Sequence, residues 1–85
     1  MDENKQAILI ALGQLIRKKR QLVGISQEEL AARSGLDRTY ISGVERGVRN
    51  PSLTALLKIA IGLQMSIAEL LDGLEAALPG GKRNG

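Results

Sequence analysis

Two stretches of this chain carry side chains suited to chemistry rather than to packing. Arg17-Lys18-Lys19-Arg20 is an unbroken run of four cations, and Ser26–Gly47, SQEELAARSGLDRTYISGVERG, gathers basic and hydroxyl side chains in its second half. Such groups donate hydrogen bonds to anionic oxygen, which suits them to a polyanion. Bond-breaking chemistry is poorly served. The chain has no histidine and no cysteine, and no phosphate-cradling glycine loop follows a strand, so it is read as not an enzyme and as holding no metal and no cofactor. Tyr40 is the only aromatic residue, which removes the stacking platforms that single-stranded nucleic acid needs.

The elements that must position these groups are helical. No stretch alternates apolar and polar residues over a strand's length. Within Ser26–Gly47, Ser26 with Glu29 forms a capping-box pattern, Asp37 can cap a second helix, Gly35 permits the sharp turn between them, and Gly47 suits a left-handed C-terminal cap. Two short helices joined by a tight turn make a helix-turn-helix, which points to double-stranded DNA. Around this unit the apolar spacing predicts a first helix over 5–23, helices over 27–33 and 38–46, a fourth from a Ser52 cap to about Leu63, and a fifth opened by Ser66 and Glu69. The first helix is expected to bury Ile8, Leu12, Leu15, Ile16 and Leu22. The fourth carries Leu53, Leu56, Leu57, Ile59 and Ala60, and the fifth Ile67, Leu70, Leu71 and Leu74.

Charge is unevenly spread. The net charge is +3; residues 1–50 hold nine Lys/Arg against six Asp/Glu, and residues 51–85 hold three of each. The whole excess lies in the half that carries the helix-turn-helix. At 85 residues the chain is one small domain, marginally able to bury a sufficient core by itself. Leu63, Met65, Ile67, Leu70 and Leu74 are more apolar surface than so small a core is expected to hide, and are read as a homodimer interface, with inward packing of all five as the alternative. No apolar run reaches the ~20 residues of a membrane span, and no convincing secretory signal is present, so the cytoplasm is the expected compartment, with no membrane partner.

Several features in order — Leu12-Gly13, Ile16-Arg17, Arg20, Gly24-Ile25-Ser26-Gln27-Glu28-Glu29-Leu30-Ala31, Gly35, Ile41, Glu45-Arg46-Gly47, Pro51-Ser52-Leu53 and Leu70-Leu71 — resemble the Cro/cI-type (XRE) helix-turn-helix family. The resemblance covers about residues 12–73. The run Leu36-Asp37-Arg38-Thr39-Tyr40-Ile41-Ser42-Gly43 is similar, more narrowly, to the controller proteins of restriction–modification systems. The resemblance implies an all-α, five-helix Cro/cI repressor-like domain over 12–74; outside it, Ile8, Leu9 and Ile10 suggest that 1–11 extends the first helix or frays, and Pro79, Gly80 and Gly81 mark 75–85 as a flexible tail.

It also implies roles by position. Arg38, Thr39, Ser42 and Gly43 match positions facing base edges, where an arginine can donate two hydrogen bonds to guanine. Gly43 departs from members that place a long polar side chain there, which predicts weak readout at that position. Gln27, Arg46, Arg49 and Asn50 match phosphate-gripping positions; Tyr40 and Arg17 are added to that set, Tyr40 with packing on the first two helices as an equal alternative. Arg20 and Glu45 match a partly buried ion pair between the first and third helices. Gln64 stands where relatives often have glycine, so a left-handed backbone there is expected to cost roughly 1–2 kcal/mol. The implied function is a homodimeric, sequence-specific DNA-binding transcriptional regulator on a near-palindromic operator, blocking or touching RNA polymerase, with autoregulatory control of restriction–modification genes as one concrete form. The alternative is an antitoxin-type protein that binds a toxin and its own promoter; it lacks an evident toxin-wrapping segment.

Overall fold

The computed structural model describes residues 3–78 and residue 80. Six helices follow one another, α1 (Glu3–Val23), α2 (Gln27–Ser34), α3 (Arg38–Glu45), α4 (Leu53–Gly62), α5 (Ile67–Leu71) and the single turn α6 (Leu74–Ala77), with no strand among the described residues. The five-helix plan expected from the sequence is present, and α6 is its short continuation. Asp72 turns extended and Gly73 adopts φ +91°, so Leu74 opens a new turn instead of closing α5. Residues 75–77, expected in the tail, are therefore helical; residues 79 and 81–85 lie outside the described residues.

Serine caps set the starts. Ser26 Oγ accepts from Glu29 N, Ser52 Oγ from Ala55 N and Ser66 Oγ from Glu69 N, each at 3.0 Å. Only the last is a full capping box, with Ser66 N donating to Glu69 Oε1 at 2.7 Å. Glu29 instead receives Arg33 Nε one turn on at 2.9 Å, so the Ser26 box is half formed. Asp37 occupies the N-cap of α3 without a side-chain cap bond. Its exposed carboxylate still stands at the positive end of the helix.

The core gathers one or two residues from each of the first five helices. Ile16, Leu30, Ile41, Ile59 and Leu70 are fully enclosed, with Leu12, Ala31, Val44, Ala60 and Leu63 around them. Burying each large aliphatic side chain contributes about 1.5–3 kcal/mol. Helices α1 and α3 approach so closely that a Cβ on Gly13 would be driven into the backbone carbonyls of Val44 and Glu45. That contact fixes α3 against α1.

The outward apolar surface is not the one expected. Leu63 is 2 % exposed and Leu70 0 %, so both are core residues rather than interface. Met65, Ile67 and Leu74 are half-buried against that core. On α4, Leu53, Leu57 and Ile61 are left outside, 66 %, 42 % and 69 % exposed; they recur every fourth position and so form one stripe, and Val48 is exposed in the loop after α3. On α1, Ile8, Ile10, Leu22 and Val23 are also exposed, Ile8 and Ile10 on either side of the buried Leu9. No single helix among the described residues is long and apolar enough to cross a membrane.

Candidate nucleic-acid interface

Helix α3 is held from below by a polar cluster built on Glu45. Its carboxylate, 2 % exposed, accepts Arg20 Nε at 2.7 Å and Arg20 Nη2 at 3.0 Å, and Gln27 Nε2 donates to the same carboxylate at 3.0 Å. Arg20 Nη1 donates to the Ile25 carbonyl at 2.9 Å. One carboxylate thus ties α1, the α1–α2 loop, α2 and α3 together. The paired, fork-on-fork hydrogen bonds raise the Arg20 pKa above its ordinary value against the opposing effect of burial. No buried side-chain polar atom among the described residues lacks a partner.

This network divides the basic run. Gly13, Arg17 and Arg20 recur at spacings of four and three, so Arg17 lies on the side of α1 that meets α3 and is exposed. Lys18 and Lys19 instead line a hollow of about 480 Å³ between α1, the α5–α6 turn and α6. Lys19 Nζ donates to the Glu69 carbonyl at 2.6 Å. Four adjacent cations therefore meet three different surroundings; the resemblance already sets Arg20 apart, and the separation of Lys18 and Lys19 from Arg17 comes only with the fold.

The outward face of α3 begins with Arg38 and Thr39, both exposed, and continues with the half-buried Ser42. Arg38 Nε stands 3.8 Å from Glu28 Oε2 of α2, a loose contact between two exposed side chains that leaves the guanidinium free to be taken up by a ligand. Arg46 Nε reaches Ser42 Oγ at 3.4 Å, longer than a well-formed bond. Gln27 spends one amide N–H on Glu45 and keeps its second for another acceptor. Arg46, Arg49 and Asn50 are exposed in the loop after α3.

Gly43 is a correction to the expected set of base-facing residues. It is buried, and what covers it is Arg49: a Cβ at position 43 would lie 2.6 Å from Arg49 Cγ. The Gly43 carbonyl accepts both Val48 N at 3.0 Å and Arg49 N at 3.2 Å, folding the loop back over the helix. The Arg49 guanidinium carbon then sits 5.7 Å from the centroid of the Tyr40 ring. Tyr40 itself is half-buried against the core. A glycine inside a helix was the one signal of this arrangement, and its partner six residues away was not readable.

A short helix standing clear of a locked scaffold, cationic and hydroxylic on its open side, and preceded by a second helix across a tight turn, defines a helix-turn-helix DNA-binding domain. Comparison with known proteins agrees. The helix-turn-helix family matches residues 16–70. The control protein C.MunI of Mycoplasma sp. is 42 % identical over 69 residues, covering 80 % of this chain and 93 % of its own. Among solved structures, the restriction–modification controller protein C.AhdI of Aeromonas hydrophila is 52 % identical, with a TM-score of 0.71 over 73 % of this chain and 94 % of its own. The controller protein C.Esp1396I, as a tetramer in complex with its natural 35-base-pair operator, is 40 % identical, with a TM-score of 0.76 over 82 % of this chain and 92 % of its own. This chain belongs to the helix-turn-helix family of DNA-binding transcriptional regulators, and its relatives include restriction–modification controller proteins.

Proposed function

We propose that the chain acts in the cytoplasm as a homodimer that binds a near-palindromic operator and controls restriction–modification genes, its own among them, by excluding or contacting RNA polymerase. The observation that carries this reading is the open N-terminal part of α3, Arg38, Thr39 and Ser42, held on the buried Glu45 network. Arg38 donates to a guanine edge, and Thr39 and Ser42 supply a methyl and hydroxyls to neighbouring bases. Gln27, Arg17, Tyr40, Arg46, Arg49 and Asn50 grip the flanking phosphates and set register.

The second copy packs on α4. Leu53, Leu57 and Ile61 form the apolar stripe that one protomer leaves uncovered, and a two-fold interface needs such a self-complementary surface. A protomer measures 36 × 29 × 20 Å, so two side by side have the reach to place their α3 helices in successive major grooves about 34 Å apart. The similarity to C.Esp1396I, assembled on its operator, supports this arrangement.

Selection of bound sequences from a random duplex library, run with the unaltered protein and with Arg38→Ala, tests the reading. The expected result is a near-palindromic motif that loses its guanine preference in the variant. Recovery of no motif, with binding that merely fades as salt rises, would contradict it.

A further inference from the structure

We infer that Gly43 is a seat for Arg49: its missing side chain lets the arginine stem cross α3, so that Arg49, braced on Tyr40, presents the DNA-facing cation that a residue at position 43 would otherwise supply. This rests on the DNA-binding reading above and goes beyond it by assigning Gly43 a positioning role.

Three observations converge on it. The notch is filled, since Arg49 Cγ lies where a Cβ of residue 43 would have to be, at 2.6 Å. The clash is not one that a flexible tip absorbs. Cγ is one bond beyond Cβ, and the backbone of Arg49 is tied down by its N–H bond to the Gly43 carbonyl. The far end is directed as well, because the guanidinium lies against the Tyr40 ring, within the range of a cation–π contact. Tyr40 is one turn nearer the N-terminus of α3 than Gly43. The charge is thus carried back from the loop toward the part of a recognition helix that meets the groove. A guanidinium held near the ring before binding forfeits less freedom when it engages a planar pair of acceptors, as offered by phosphate oxygens or by the N7 and O6 edge of guanine.

The prediction is a strong coupling between positions 43 and 49. On the selected operator, Arg49→Ala weakens binding about tenfold, as expected for a lost charge-assisted contact. Gly43→Ala weakens it by a similar factor; the better helix propensity of alanine offsets the displacement of the Arg49 stem, so the variant should melt within a few degrees of the parent. Combined with Arg49→Ala, the Gly43→Ala change shifts affinity less than about twofold. In the free protein the Tyr40 ring resonances move alike in the two single variants, because each takes the guanidinium off the ring. Equal losses from Gly43→Ala in the presence and absence of Arg49, an unmoved Tyr40 ring, or a Gly43→Ala chain that fails to fold would each overturn the proposal. Failure of the unaltered protein to prefer its operator would instead strike the DNA-binding reading itself. The two sources of acceptor separate in the same titrations. A uniform loss with a salt slope lower by about one marks a phosphate, and a loss confined to one base position marks a guanine edge.

Discussion

Helices α3 and α4 are each exposed along one side, yet their surfaces are opposites. The open side of α3 carries Arg38, Thr39 and Ser42 above a locked polar cluster. That of α4 carries Leu53, Leu57 and Ile61 above a wholly apolar core. Polar side chains facing water cost a small protein nothing, and can be kept free for an anionic ligand. An aliphatic stripe costs about 25 cal/mol for each Å² left wet, so covering it with an identical stripe stabilises the pair. Under the proposed function the contrast separates two tasks within one protomer, the nucleic acid at α3 and the second copy at α4.

The largest expected effect breaks the support of α3 itself. Glu45→Ala leaves the Arg20 guanidinium and the Gln27 amide without their shared acceptor, and should cost about 3–5 kcal/mol, read as a lowered midpoint in thermal or urea unfolding. The raised Arg20 pKa means that, from the arginine's side, the pair's stabilisation is complete below the ordinary arginine value and is lost only as pH climbs through the higher folded one. The deficit from Glu45→Ala should therefore show no arginine-linked change across the neutral range.

Next is the α4 side. Leu57→Glu, at a position 42 % exposed, should leave the fold intact while weakening self-association by at least about 30-fold, the loss of a central interface residue, measured by sedimentation equilibrium. A comparable loss of helical signal would show that the stripe belongs to the core. Arg38→Ala sharpens the α3 side of the comparison. It should cost about 1–3 kcal/mol of operator affinity by fluorescence anisotropy, confined to sites that carry the guanine. The smallest effect lies in the turn between α4 and α5. Gln64, at φ +60°, is the only non-glycine residue with positive φ among those described. Gln64→Gly should raise stability by about 1 kcal/mol, seen as a higher melting temperature.

The two regions were also unequally legible in the sequence. Around α3 the cues are local: Ser26 marks the start of α2, and Gly35 and Gly47 take the left-handed turns; equally local cues, Gln64 and Ser66, hold in the α4–α5 turn. Along α4 the phase of the apolar pattern is ambiguous, because Leu53, Leu56, Leu57, Ile59, Ala60, Ile61 and Leu63 leave hardly any polar position to mark the outer side. Which of them faces water is decided by what α2 and α5 cover. Hence the pattern points Leu63 outward although it is buried, and gives no sign that Leu57 and Ile61 face water. The Gly43 site failed for a different reason. A missing side chain predicts weak readout, but the arginine that fills the gap arrives from a loop whose path depends on backbone bonds to Gly43. Asp37 and Glu29 show that a capping residue type in the right place does not guarantee the cap, since Glu29 has Arg33 within reach as a competing partner.

The division of labour between α3 and α4 is tested most directly by titrating the unaltered protein and Leu57→Glu against duplexes carrying one or two half-sites of the selected operator. The account predicts that the unaltered protein gains at least about 30-fold in affinity from the second half-site, as expected when two reading heads are joined, and that Leu57→Glu loses this gain while binding the single half-site within about twofold of the parent. A variant that keeps the gain, or that loses half-site affinity in step with it, would contradict the assignment of the two helices to separate partners.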